Sequence, residues 1–134
     1  MTITTCIFDA YGTLFDVAAA ARLAAEEPGQ DDWAAKWPAL AADWRAKQLQ
    51  YTWLRAITGE HCDFWQVTRD GLDWALERQE LDGNPELRER LLALYWELQA
   101  YPEVPEMLAA LKSAGLNTAI LTNGSPDMLN GAVG

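Results

Sequence analysis

A parallel α/β core interrupted by a long helical insertion is the architecture this sequence predicts, on three observations. A short β-branched run, Thr2-Ile3-Thr4-Thr5-Cys6-Ile7-Phe8, opens the chain and ends on a carboxylate, Asp9, followed at once by the turn-prone Ala10-Tyr11-Gly12. A second such run, Asn117 to Thr122, comes only near the other end and passes through Asn123-Gly124-Ser125-Pro126 toward another helix. Almost everything between them is helical in composition, rich in Ala, Leu, Glu, Gln and Arg. Strands joined by a helical crossover lie parallel, which brings both carboxyl ends to one edge of the sheet.

Each helix has local signals. The first covers Val17 to Glu26 and stops at Pro28-Gly29; a longer one runs from about Asp32 to Thr58, with Asp31 or Asp32 as N-cap and Gly59 just beyond its end. A third spans Phe64 to Gln79. A fourth follows Asn84-Pro85, where proline suits the first turn, and reaches about Gln99 with Leu87, Leu91, Leu94 and Leu98 on one face. Tyr101-Pro102-Glu103-Val104-Pro105 breaks the pattern and hands over to a helix from Glu106 to Ala114 ended by Gly115. On this division residues 1–16 and 101–134 form a partial α/β core and residues 17–100 an inserted helical unit. Trp33, Trp37, Leu40 and Trp44 fall on one helical stripe, read either as core packing or as an apolar wall above the strand-end crevice.

Composition narrows the function. Half of the 134 residues are hydrophobic, enough for a real core. A formal net charge of -10, without a basic stripe, argues against nucleic-acid binding, because phosphates reward clustered Lys and Arg. The same charge repels a small anionic substrate at long range, so such a substrate needs a local cation in its pocket. No stretch approaches the roughly 20 apolar residues of a membrane span. Two cysteines in unlike contexts, Cys6 read as strand core and Cys62 elsewhere, together with the lack of a secretory signal, point to the cytoplasm. The single histidine, His61, follows Gly59-Glu60 in an interhelical loop, where a solvated side chain is the plain reading and catalysis the sharper one.

The chemistry lies at the strand ends. In open α/β sheets ligands bind beyond the carboxyl edge, where Asp9 stands ready as a nucleophile, or simply as an N-cap or turn former. Gly12 permits a sharp turn that lets Thr13 direct its hydroxyl back toward the same crevice. Thr122 and Asn123, at the end of the second strand, either hold substrate oxygens or shape the turn before Pro126.

The segments Phe8-Asp9-Ala10-Tyr11-Gly12-Thr13-Leu14-Phe15 and Leu121-Thr122-Asn123-Gly124-Ser125 resemble motifs I and II of the haloacid dehalogenase (HAD) superfamily. Trp44-Arg45-Ala46-Lys47-Gln48-Leu49-Gln50-Tyr51-Thr52-Trp53-Leu54-Arg55 resembles the substrate-arginine helix of the (S)-2-haloacid dehalogenases, and the likeness, with that family's helical cap, extends over essentially the whole chain. The implied fold is a HAD-like Rossmannoid parallel sheet, incomplete here, with an inserted helical-bundle cap. The implied reaction is hydrolysis of a small (S)-2-haloalkanoic acid to the (R)-2-hydroxy acid through an ester on Asp9. The resemblance implies no metal and no cofactor, and allows a homodimer.

It also assigns roles. Asp9 attacks C2, and Thr13 belongs to the same catalytic turn. Arg45 receives the departing halide or guides the substrate, whereas without the resemblance it is a solvated charge on an amphipathic helix. Leu49 and Phe64 match apolar pocket positions, with cap packing as their plain alternative. Thr122 and Asn123 match the pair that holds the substrate carboxylate, with Thr where Ser is common. Tyr11, read as a substrate-binding residue or else as an aromatic packed against the cap, occupies the position of a second aspartate in superfamily phosphatases, where that acid protonates a leaving alkoxide. Halide needs no proton, so Tyr11 favours C–halogen cleavage over phosphate-ester hydrolysis.

The superfamily's motif III lysine and motif IV acidic loop are expected downstream of residue 134, and no lysine follows Lys112. The sequence is therefore expected to be the N-terminal part of a longer enzyme, or a truncated gene product whose own activity is in doubt. Two rivals stand beside the dehalogenase reading: a Mg²⁺-dependent phosphatase of the same superfamily, and a non-catalytic fragment that serves as a helical association module.

Overall fold

The computed structural model describes residues 2–60 and 62–133, so His61 lies outside the described residues. In chain order the elements are β1 (Thr5–Phe8), α1 (Ala19–Glu26), a 3-10 turn (Ala34–Lys36), α2 (Trp37–Thr58), α3 (Phe64–Arg78), α4 (Pro85–Trp96), α5 (Val104–Ser113), β2 (Asn117–Ile120) and α6 (Pro126–Val133). The strands pair in parallel, Thr5 opposite Asn117 and Phe8 opposite Ile120, so both release the chain at the same edge. This is the α/β crossover with a helical insertion that the sequence predicts.

Local chemistry sets most helix ends. Asn84 caps α4 by accepting the Leu87 N–H at 3.1 Å, and Pro85 sits in the first turn, where a missing N–H costs nothing. Asp63 caps α3 by accepting the Gln66 N–H at 2.8 Å. Gly59 ends α2 in the left-handed region at φ 78°, a conformation that only glycine adopts without strain.

Several boundaries depart from the sequence reading, among them α1, which starts at Ala19 rather than Val17, and β1, which starts at Thr5 rather than Thr2. α2 starts at Trp37 rather than near Asp32, because Pro38 fits only a first turn; placed deeper, its ring would strike the carbonyl of Ala34. Asp31 and Asp32 stay exposed in the preceding loop and cap neither this helix nor the 3-10 turn. α4 ends at Trp96 rather than Gln99, because the residues after it are drawn into extended pairing with the chain entering the insertion. There the Asp16 N–H donates to the Gln99 carbonyl at 2.8 Å and the Tyr101 N–H to the Leu14 carbonyl at 2.9 Å, around an antiparallel Phe15–Ala100 bridge. α5 begins two residues early, at Val104, with Pro105 again in the first turn.

The apolar core lies among the helices and not around the sheet. Leu40, Leu72, Ala75 and Leu91 are wholly buried there, joined by Ala10, Tyr11 and Phe15 from the turn after β1 and by Met128 from α6. Trp33, Leu40 and Trp44 of the tryptophan stripe are buried, and Trp37 packs at the rim. α2 and α3 approach closely at Gly71, where a Cβ would stand 3.2 Å from the Gln48 backbone nitrogen. By contrast Ile7 is 66% exposed and Ile120 40%. Cys6, expected in a strand core, is half-buried, since a two-stranded sheet with α5 beside β2 has too little cover to enclose it. Among the described residues no helix is long and apolar enough to cross a membrane.

Candidate active site

Asp9 follows β1 directly and is solvent-exposed. The next residues wind into a tight turn: the Leu14 and Phe15 N–H groups both donate to the Ala10 carbonyl, at 2.8 and 3.1 Å, and the Gly12 N–H donates to the Phe15 carbonyl at 2.9 Å. Gly12 holds φ 87°, so the turn requires glycine there. The winding returns Thr13 to the strand end, where its hydroxyl donates to Asp9 Oδ2 at 3.3 Å. That bond steadies one carboxylate oxygen, and no side chain among the described residues bonds the other.

Arg45 reaches this turn from α2. Its Nη2 donates to the Tyr11 carbonyl at 3.0 Å, its Nη1 donates to Gln48 Oε1 at 2.9 Å, and the guanidinium lies against Gly12, where a Cβ would come within 2.9 Å of Nη2. Among the described residues Arg45, like Arg69 and Arg78, has no carboxylate partner, whereas Arg22, Arg55 and Arg90 each have one and Arg88 has two; of the three without one, Arg45 is the one that reaches the Asp9 turn. A half-buried cation without a counter-ion, in a chain of net charge -10, is the local positive site that an anionic substrate would need.

Tyr11 links the two strand ends. Its ring is 3% exposed, stacks on Tyr95 at 5.6 Å with 12° between planes, and is flanked by Phe15 and Phe64 at 5.9 and 5.6 Å. Burial pushes its phenol up to about 12, so it stays protonated and neutral. The ring also lies against the backbone of Gly124, where a Cβ would stand 2.7 Å from Cε2. Here Thr122 Oγ1 accepts the Gly124 N–H at 3.1 Å, and Ser125 Oγ accepts the Met128 N–H at 3.3 Å as α6 begins. Asn123 and Phe64 line a cavity of about 50 Å³ together with Thr52, Arg55, Cys62 and Val67.

The structure thus gathers Asp9, Tyr11, Thr13, Arg45 and Phe64 with the Thr122-Asn123-Gly124 turn. Leu49, one helical turn beyond Arg45, is half-buried and stands outside both that cavity and the main apolar cluster. No three His, Cys, Asp or Glu side chains among the described residues are grouped to hold a metal ion.

A buried polar network behind Arg45 was not foreseen from the sequence. Gln48 Nε2 donates to Thr68 Oγ1 at 2.8 Å and to the Tyr95 hydroxyl at 2.9 Å; Thr68 in turn donates to the Phe64 carbonyl at 2.7 Å. The Trp44 indole N–H donates to the Thr68 carbonyl at 2.9 Å. One signal was present. Leu40, Trp44 and Gln48 follow one another at intervals of four, so the apolar stripe runs straight into an amide three residues past Arg45.

A family model described as haloacid dehalogenase-like hydrolase matches residues 3–134. The chain is 46% identical over 131 residues to (S)-2-haloacid dehalogenase 1 of Pseudomonas sp. (strain CBS-3), covering 98% of this chain and 56% of that protein. A dehalogenase crystal structure superposes with a TM-score of 0.88 at 43% identity, covering 98% of this chain and 56% of the other. The L-2-haloacid dehalogenase of Xanthobacter autotrophicus, solved with chloropropionic acid covalently bound, gives 0.80 at 39% identity over 98% and 51% of the two chains. The chain spans about half the length of these relatives. With a model matched from residue 3 onward and the fold reproduced at that level, this chain belongs to the haloacid dehalogenase-like hydrolases.

Proposed function

We propose that this chain carries the nucleophile-bearing part of a hydrolase that converts (S)-2-haloalkanoic acids to (R)-2-hydroxy acids. The observation that carries the reading is an exposed Asp9 at the sheet edge with the Arg45 guanidinium, which has no carboxylate partner among the described residues, bonded to the Tyr11 carbonyl two residues further along the same turn. Likeness to (S)-2-haloacid dehalogenases supports the substrate class, and so does the relative with chloropropionic acid covalently bound. An Asp9 oxygen attacks C2 in line; the C–halogen pair leaves as halide toward Arg45, and C2 inverts. Water then attacks the Asp9 acyl carbon, the acyl–oxygen bond breaks, and the hydroxy acid departs with its C2–O bond intact while a proton is released. Thr13 orients Asp9, and Thr122 with Asn123 receives the substrate carboxylate. Phe64, packed against the Tyr11 ring, excludes water from the carbon–halogen bond, and Leu49, outside that cluster, takes the plain role of cap packing.

Tyr11, neutral and packed among aromatics, stands where a phosphatase would hold its acid, which supports halide as the leaving group. Residues 1–16 and 101–134 make the core and 17–100 the cap, a division supported by the paired segments at Leu14–Asp16 and Gln99–Tyr101. Exposed Trp53, Leu54 and Ile57 on α2 suit a homodimer, and the free thiols of Cys6 and Cys62 suit the cytoplasm.

Chloride release from (S)-2-chloropropionate in the presence of a chelator tests the reading. In the complete enzyme Asp9→Asn should abolish that release and leave the circular dichroism spectrum unchanged; retained turnover removes Asp9 from the nucleophile role. Phosphate-ester turnover that needs Mg²⁺ would instead identify a phosphatase, and inertness with concentration-dependent association a helical association module.

A further inference from the structure

We propose that Gln48 is a positioning residue: a buried amide with one possible orientation that fixes the Arg45 guanidinium at the Asp9 turn. The inference rests on Arg45 being the group that receives halide.

Thr68 decides the orientation. Its single hydroxyl proton goes to the Phe64 carbonyl at 2.7 Å, so toward Gln48 it can only accept, and the Gln48 atom 2.8 Å away must be the NH₂ group. The second hydrogen of that group goes to the Tyr95 hydroxyl at 2.9 Å. With both hydrogens engaged, Oε1 is the atom left to face Arg45, and it accepts from Nη1 at 2.9 Å. A flipped amide would set N–H against guanidinium N–H and oxygen against the Thr68 oxygen. Gln48 is 1% and Thr68 0% exposed, so bulk water offers no replacement partner.

An amide suits this place for an electrostatic reason. It directs the guanidinium without cancelling its charge, whereas a carboxylate at the same point would neutralise the cation meant for an anion. Of the five N–H donors of an arginine, Gln48 and the Tyr11 carbonyl each engage one. The others remain for an incoming anion, held in place before it arrives.

Bromide, titrated calorimetrically into the full chain near neutral pH, is the probe. The wild-type chain binds it, Arg45→Met abolishes binding, and Gln48→Met weakens it about tenfold, the size of one lost charge-assisted hydrogen bond. Gln48→Glu keeps an acceptor beside Arg45 and still weakens bromide at least as much, because it adds the neutralising charge. Tyr95→Phe keeps the aromatic stack, removes one of the two anchors of the amide and produces a smaller loss, which preserves the test if Gln48→Met does not fold. A purely structural Gln48 would lower the unfolding midpoint and leave bromide affinity within twofold of wild type; that result, with binding lost in Arg45→Met, overturns the proposal. No bromide binding by the wild-type chain, or binding indifferent to Arg45→Met, overturns the reading of Arg45 itself, and the proposal with it.

Discussion

Replacing Gly124 with alanine tests whether the Tyr11 ring ties the two strand-end loops together. The added Cβ would stand 2.7 Å from Tyr11 Cε2 and 3.6 Å from Cδ2. Carbon atoms in contact sit about 3.5–4.0 Å apart, so one partner must retreat by roughly 1 Å. Gly124 is not in the left-handed region, so the penalty is steric and not conformational. The ring has little room to retreat, being stacked on Tyr95 and flanked by Phe15 and Phe64. Overpacking of this kind costs about 1–3 kcal/mol, against a gain of about 0.4–1 kcal/mol from the stiffer unfolded chain. The expected net loss is about 1–2 kcal/mol, read from urea unfolding followed by tryptophan fluorescence. In a Tyr11→Leu background the same substitution should cost at least about 1 kcal/mol less, because the clashing ring is gone. Equal costs in the two backgrounds would refute the contact, and with it the claim that Tyr11 fixes Thr122 and Asn123 relative to Asp9.

Two further outcomes follow from where the core lies and what it buries. Leu72→Ala, at a wholly buried site, should lower unfolding stability by about 2–5 kcal/mol, while Ile7→Thr on the open sheet should change it by less than about 0.5 kcal/mol; comparable losses by urea titration would place the core wrongly. Alkaline titration should show Tyr11 ionising late: the unfolded phenol loses its proton at 10.0 and the folded one at about 12, so the native state holds the extra proton and stability falls as pH rises through that window. Burial raises Tyr95 in the same direction. Tyrosinate absorbance from both residues near pH 10, with the circular dichroism spectrum intact, would contradict this.

What the sequence disclosed, it disclosed through short-range chemistry. Asn84-Pro85 and Gly59 act within a few residues, and the structure uses them as read. The Asp9-to-Thr13 turn was legible for the same reason, since a glycine at φ 87° and a hydroxyl four residues after the carboxylate are local facts. Features that depend on distant partners were not. Nothing near Gln99 announces that Leu14 and Asp16 will take its backbone out of the helix. The Leu40-Trp44 stripe turns Gln48 inward, but its partners Thr68 and Tyr95 come from two other helices and nothing near Gln48 names them. The half-buried state of Cys6 depends on how many layers cover its strand, a property of the whole sheet.

The paired segments at Leu14–Asp16 and Gln99–Tyr101 also bear on the order of folding. β1 and β2 come from nearly opposite ends of the chain, so bringing them together directly would close a very long loop before any ladder bond rewarded it. Helices α1 to α4, with their mostly nearby contacts, can assemble first, and the Phe15–Ala100 bridge then ties their entry and exit together. From that knot only two short arms remain, one back to Phe8 and one forward through α5 to Asn117. Strand pairing becomes a local search, and Asp9 reaches Thr122 as its last step.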